Sequence, residues 1–415
     1  MSEKRVIAYA DWTPFEHPIP IGVLSFRILR GVEVYSFSYS EAWLNTGVRY
    51  YPIGGSLLPF AGRQYPPANA KPFPILFDSA PDRWGRTLLL RRESLIARKE
   101  GRRPRTLMES DFLLGVHDSA RIGAIRFATS EDGQFLSHSD ILATPPMVRL
   151  RELEQSASMW EQYKGRSNEE KWLMQLIAPG SSLGGARPKA TVADEYGNLW
   201  VAKFPSSRDV IDKGAWEMVA HDLARSVGIT VPKAQVQRLS KSGTTYLSQR
   251  FDRAGDGQRI HFCSALSLLG KHDGEHGSYL ELVEFIKSNS SQPQQDLEQL
   301  FRRILFSIAI SNTDDHLRNH GFMLTRGGWR LSMAYDLNPD PSVRTLSLAI
   351  DETDHSLDFS LALDQSPQYG LSRHQAHQIL QHVLEGVSTW DQIARSYEIP
   401  LSEISLMADS FRLSQ

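Results

Sequence analysis

Residues 307–324, SIAISNTDDHLRNHGFML, decide how this chain is read. An apolar helical run over 305–310 ends in a polar cluster: Asn312, Thr313, Asp314, Asp315, His316, Arg318, Asn319 and His320. Two adjacent carboxylates directly after an apolar helix are costly unless a cation or a proton donor uses them. Asp314 and Asn319 stand five positions apart, the separation of base and metal-binding amide in the D-x-x-x-x-N pattern of phosphotransferase catalytic loops. Residues 322–332, FMLTRGGWRLS, predict a hairpin that leads to AYDLNP at 334–339, setting Asp336 where such a site needs its metal-holding carboxylate. Magnesium prefers hard oxygen donors and keeps several waters, so one carboxylate, one amide oxygen and the nucleotide phosphates suffice.

The remaining parts lie upstream in the order such a site requires. GSSLGGARPK at 180–189 is a small-residue turn whose backbone N–H groups suit phosphate. LWVAK at 199–203 ends in Lys203, placed like the V-A-x-K lysine that neutralises phosphate oxygens, and Glu217 follows on a helix expected over 213–227, placed to orient that lysine. Gln249 and Phe251 end a strand where a hinge would offer backbone groups to an adenine edge. Each part alone also has a plainer reading. The glycine turn reads as a flexible loop, Lys203 as a solvated strand end, and Glu217 as a surface residue paired with Lys213 at i,i+4. Asp314 equally caps a helix, and Asp336 equally opens a turn before Asn338 and Pro339. The conjunction in sequence order is what defines a two-lobed phosphotransferase.

Rival chemistries fit less well. Residues 180–184 match the G-x-S-x-G nucleophile elbow, but Gly185 and Pro188 interrupt the helix that must start at the serine. The same turn has the Walker A glycine spacing with Ala186 where lysine is required. His316 and His320 are spaced for zinc, yet Leu317 replaces the glutamate of H-E-x-x-H and spacing places no third ligand.

The 415 residues exceed one ordinary domain, with 41% apolar side chains, 10% aromatics and 29 glycines, the range of a packed globular protein. Forty-six basic against 48 acidic residues leave a formal charge of −2, so no global field draws the chain to nucleic acid or membrane. One cysteine, Cys263, excludes an intramolecular disulfide framework and suits a reducing cytosol. Residues 1–9 lack the apolar core of a signal peptide, and no run approaches a membrane span, so a cytoplasmic protein that meets no membrane is expected.

Residues 1–105 read as a β-rich module, with strands at VIAYADW, PIGVLSFRIL, VEVYSFSYS and VRYYPI, closed by a basic helix that Pro81 and Asp82 start. That basic stretch is weighed mainly as a solvated helix face rather than a nucleic-acid contact. Residues 106–252 mix strands and helices. Residues 253–415 are mainly helical, with 3.6-type periodicity over 278–288, 294–312, 373–386 and 389–413. The fold class expected is α+β: a two-lobed, protein-kinase-like architecture with an N-terminal β-rich subdomain and a helical C-lobe.

These motifs resemble the HipA family, serine/threonine kinase toxins of bacterial type II toxin–antitoxin systems with a phosphoinositide-kinase-like fold. The likeness rests on LFDSAPDRWGRTLLLRR, SSLGGARPKA, EMVAHDLARSVGITVP with YLSQRFDR, and SNTDDHLRNHGFML with AYDLNP. The resemblance implies Asp314 as general base, His316 as support of the catalytic loop, and Asn319 and Asp336 as Mg²⁺ ligands. It implies ATP contacts from Lys203, from Lys189, from the loop Ser182, Leu183, Gly184, Gly185 and Ala186, and from Gln249 and Phe251 at the adenine. Ser182 aligns with the serine that family members autophosphorylate, and Ser181 is an adjacent alternative. The implied partners are a HipB-like helix-turn-helix antitoxin, DNA only through that antitoxin, and a protein substrate such as an aminoacyl-tRNA synthetase. A kinase-like module serving mainly as co-repressor stands as the alternative. Two positions depart from the family pattern. Gln249 replaces a glutamate, and Asp315 stands where glycine is common, as an added metal ligand or a change in substrate preference.

Overall fold

The structure is a computed structural model and describes residues 3–13, 15–47, 53–55, 57–66, 72–81, 83–138, 144–162, 169–180 and 185–413. Two compact units emerge. One comprises Met1–Arg208, Leu239–Ser242 and Leu247–Cys263, the other Asp209–Arg238, Gly243–Tyr246 and Ser264–Gln415.

The first unit opens with β1 (Lys4–Ala10), β2 (Ile19–Leu29), β3 (Val32–Tyr39) and β4 (Arg63–Gln64), with β5 (Ile125–Ala128) added from further along the chain. They form one antiparallel sheet in the order β4-β3-β2-β1-β5, with Ile7 opposite Ala128 and Val23 opposite Ser38. Three of the four expected strands are these; the fourth, VRYYPI, falls outside the described residues except for Ile53. The sheet thus reaches past residue 105, because IRFA at 125–128 completes its edge.

Helices α1 (Pro74–Phe77), α2 (Arg83–Lys99), α3 (Glu109–Gly115), α4 (Leu150–Gln162) and α5 (Glu169–Gly180) follow, with β6 (Lys189–Ala193) and β7 (Leu199–Lys203). Trp84 and Leu88 of α2, Leu153 and Trp160 of α4, Leu173 and Leu176 of α5, and Val192, Ala202 and Phe204 around β6 and β7 share one core. The Trp84 and Trp160 rings meet edge to face at 5.2 Å. Each leucine or phenylalanine buried this way contributes roughly 1.5–3 kcal/mol over exposure.

Part of the positive charge of α2 and of the segment after it is met by carboxylates of the same unit. Arg86 makes two hydrogen bonds to Glu109 (2.8 Å and a second oxygen at 2.6 Å), Lys99 meets Glu170, Arg102 meets Glu93 and Glu100, and Arg105 meets Asp111.

Strands β8 (Ala234–Ser240) and β9 (Gly243–Gln249) complete a second sheet in the order β6-β7-β9-β8, and β10 (Phe262–Ser264) follows. In the second unit α6 (Lys213–Ser226) starts at Asp212, whose Oδ1 accepts from the Ala215 amide. Asp212 also accepts from the Thr244 amide and hydroxyl, so α6 sits hard against β9. A Cβ at Gly214 would stand 2.0 Å from the Thr244 carbonyl oxygen, and only glycine permits that approach.

The rest is α7 (Ala265–Leu268), α8 (Tyr279–Asn289), α9 (Pro293–Ala309), the hairpin β11 (Gly321–Thr325) and β12 (Gly328–Leu331), then α10 (Phe359–Asp364), α11 (Arg373–Val387), α12 (Trp390–Ser396) and α13 (Leu401–Met407). The hairpin closes with Thr325 opposite Gly328, where the RGG turn is. The helical stretch read over 389–413 is two helices. Glu398 takes a positive φ of 57° and Pro400, with no amide hydrogen, cannot continue α12. Among the described residues no helix is long and apolar enough to cross a membrane.

Candidate active site

In the first unit the predicted phosphate-side residues divide into those the structure gathers and those outside its described range. Ser181, Ser182, Leu183 and Gly184 lie outside it. Gly185 is described, with a positive φ of 70°, and a Cβ there would stand 2.7 Å from Lys189 Nζ. The Lys189 ammonium therefore lies over the glycine backbone. Trp84 locks this turn: its amide donates to the Gly185 carbonyl (2.9 Å) and its indole Nε1 to the Lys189 carbonyl (2.9 Å). Ala186 is exposed, and the Phe204 amide donates to the Pro188 carbonyl. Lys189 and Lys203 are direct cross-strand partners in β6 and β7. That register sets the two lysines side by side at one end of the sheet, beside the glycine turn.

Gln249 ends β9, and Phe251 follows, edge-on to Phe262 at 5.6 Å. Behind them is a charged clamp that the sequence reading missed. Arg250 makes two hydrogen bonds to Asp252 (2.9 and 2.6 Å) and also donates to the carbonyls of Ala120 and Arg121. Arg253 and Arg259 reach the same Arg121 carbonyl, and Asp252 accepts from the Gly123 amide. Burial pushes the Arg253 guanidinium down to about 9; it pushes Asp252 up, yet Arg250 and Arg253 hold that carboxyl well below the usual carboxylate range. Arginines on both sides of one aspartate, straight after a strand, were the available signal.

The second-unit residues stand on the turn that ends α9. Ser311 adopts a positive φ of 50° and breaks the helix, and its carbonyl accepts from the Asp340 amide. Asp314 is exposed while its neighbour Asp315 is 4% exposed. The Asp314 carbonyl accepts from the His316 amide (3.0 Å) and from Asn319 Nδ2 (2.8 Å), so Asp314, His316 and Asn319 are held in one tight loop. With its NH₂ turned to that carbonyl, Asn319 presents its amide oxygen elsewhere, the donor a hard cation takes. Nδ1 of His316 is buried with no hydrogen-bond partner among the described residues. Asp336 also holds a positive φ, 60°, a strained conformation for a non-glycine residue, and such strain concentrates at working sites. The segment before it is tied to the loop by Tyr335 Oη donating to the Arg318 carbonyl (2.6 Å). The donor set of carboxylate and amide oxygens fits Mg²⁺, and the lysine pair fits nucleotide phosphates.

Asp315 is buried, and both of its oxygens already face neighbouring side chains. Tyr279 Oη (2.6 Å) and Ser307 Oγ (3.3 Å) donate to Oδ2, and His320 Nε2 lies 2.9 Å from Oδ1. Burial raises this carboxyl, but His320 and Tyr279 outweigh it and hold the group below its ordinary value. The same contact turns His320 into the core, away from any shared ligation with His316. Glu217 is 5% exposed on the packed side of α6, so its reading as a surface residue does not stand.

Comparison with known proteins fits this arrangement. Residues 181–390 match the HipA-like C-terminal domain family, and the chain belongs to it. A Sinorhizobium fredii (strain NBRC 101917 / NGR234) protein named "Putative kinase Y4dM" is 27% identical over 161 residues, 35% of this chain; the match spans 38% of that protein's length. The Shewanella oneidensis MR-1 toxin HipA, solved with HipB and operator DNA, superposes with a TM-score of 0.65 at 16% identity, covering 94% of this chain and 93% of that one. The fold is accordingly the mixed helix-and-sheet, kinase-like fold of HipA.

Proposed function

We propose that this chain is an ATP- and Mg²⁺-dependent protein serine/threonine kinase, the toxin of a type II toxin–antitoxin pair. The observation that carries the reading is the exposed Asp314 carboxylate on a loop whose Asn319 amide is locked by the Asp314 carbonyl, with Asp336 strained and tied to the same loop. Lys203 and Lys189 would hold the nucleotide phosphates and Gln249 and Phe251 the adenine. Bound Mg²⁺ supplies charge neutralisation of the phosphates. Asp314 orients the acceptor hydroxyl and takes its proton as the new P–O bond forms to that oxygen and the bond to ADP breaks. Ser182, or the adjacent Ser181, is the proposed autophosphorylation site that silences the enzyme. The proposed substrate is a translation component such as an aminoacyl-tRNA synthetase. The likeness to a HipA solved with HipB supports a HipB-like antitoxin as partner, through which any contact with DNA would pass. Activity in the cytoplasm follows from these partners.

The test is labelled phosphate from ATP into bacterial lysate and into the chain itself. Asp314→Ala is expected to lower transfer by about 10²–10⁴-fold while the ATP-induced rise in Tm persists. Transfer at the unsubstituted rate removes the assignment. Ser182→Ala should abolish the phosphorylated mass of the active protein; a phosphate mapped only elsewhere removes the regulatory role.

A further inference from the structure

Asp315 lies next to the proposed base, but its contacts extend to the second catalytic segment. Tyr279 reaches it from α8, Ser307 from α9 and His320 from the start of β11. From Ser307 the chain of hydrogen bonds continues. Asn312 Nδ2 donates to Ser307 Oγ (3.2 Å), Asn312 Oδ1 accepts from the Asn338 amide (3.0 Å), and Asn338 Nδ2 donates to Asp336 Oδ1 (3.3 Å). Asn312 is 1% exposed and Ser307 1%, so the middle of this path is closed to water. In such surroundings hydrogen bonds reinforce one another, and an unmade one is expensive.

We propose that Asp315 is a positioning residue: the buried anion that anchors a single network setting the catalytic loop and the Asp336 segment at a fixed distance from each other. A lone glycine at 315 would leave Tyr279 and Ser307 without their acceptor. The proposal rests on the kinase reading for its purpose, since the groups held in register are the proposed base and the two proposed metal ligands. Its structural content does not depend on that reading.

Two measurements separate the levels. In the protein without nucleotide, Asp315→Asn should speed hydrogen exchange at the Asn338 amide, which touches Asn312 and not Asp315. Tyr279→Phe, which removes one donor and leaves the anion, should do so less. Unchanged exchange at Asn338 in Asp315→Asn overturns the network, whatever the protein's activity. With AMP-PNP present, the Mg²⁺ concentration giving half the maximal rise in Tm should increase about 10-fold in Asp315→Asn, as for other groups that orient a metal ligand. Asn312→Ala should produce the same shift, and the double variant should show less than the product of the two. Independent, multiplying effects, or a fall in Tm with an unchanged Mg²⁺ midpoint, reduce Asp315 to a packing role and overturn the proposal. If the exchange result holds while the unsubstituted protein transfers no phosphate, the kinase reading fails and the network stands without that purpose.

Discussion

Asp314 and Asp315 are chemically identical neighbours with opposite environments, and that contrast shows what one residue's surroundings decide. Asp314 is exposed, while Asp315 is enclosed by Tyr279, Ser307 and His320. Spacing to Asn319 singles out Asp314, but nothing in a linear pattern tells which of two adjacent acids turns inward. The reading of Asp315 as an added metal ligand gives way for that reason. The two lysines are a second residue-scale case. The sequence reading sets Lys203 at a strand end and Lys189 at the end of the glycine turn, yet their direct opposition across β6 and β7 depends on register, which no local pattern supplies. Under the proposed function the two lysines hold the nucleotide phosphates. Lys203→Met should therefore remove the ATP-dependent rise in Tm, and Lys189→Met should diminish it, with far-ultraviolet circular dichroism unchanged in both. A full nucleotide response in Lys203→Met detaches it from phosphate.

At the scale of elements, helices with a strong apolar period were legible: the reading over 278–288 is α8 and that over 373–386 is α11, each opened by a capping box, Ser278 with Glu281 and Ser372 with Gln375. The short edge strand β5 was not, because four residues carry too little periodicity and their partner, β1, lies far back in the chain. The same long-range dependence hides the contact of His261, just before β10, with Trp12, just after β1. The rings stack at 4.6 Å with 16° between planes, and burial pushes the imidazole down to about 3. A histidine whose folded value lies below its unfolded value of about 6.5 costs nothing while neutral in both states. As pH falls below 6.5 the unfolded chain takes the proton first, so stability is lost with acidification, by about 2 kcal/mol between pH 7 and pH 5. His261→Phe keeps a flat ring against Trp12 and should flatten the fall in stability over that interval, read from urea midpoints at each pH. An unaltered slope assigns the acid sensitivity to other groups.

For the molecule as a whole, charge is the property that composition states correctly and that structure explains. Forty-six cations and 48 anions could still segregate into one basic face, and α2 with the segment after it was the candidate. Arg86, Lys99, Arg102 and Arg105 instead each meet a carboxylate of the same unit. Exposed pairs of this kind add little to stability, with a median of about 0–1 kcal/mol. Their larger effect is to cancel local potential, since phosphate binding depends on cations that release counterions from DNA. The isolated chain should therefore bind a 20-base-pair duplex more weakly than about 1 µM at about 0.15 M salt, with a shallow dependence on salt concentration. Fluorescence anisotropy of a labelled duplex measures both quantities. Adding a helix-turn-helix antitoxin should then create tight binding whose salt slope is that of the antitoxin alone. Submicromolar binding by the chain itself, weakened by Arg92→Ala and Arg98→Ala, would instead make α2 a nucleic-acid surface.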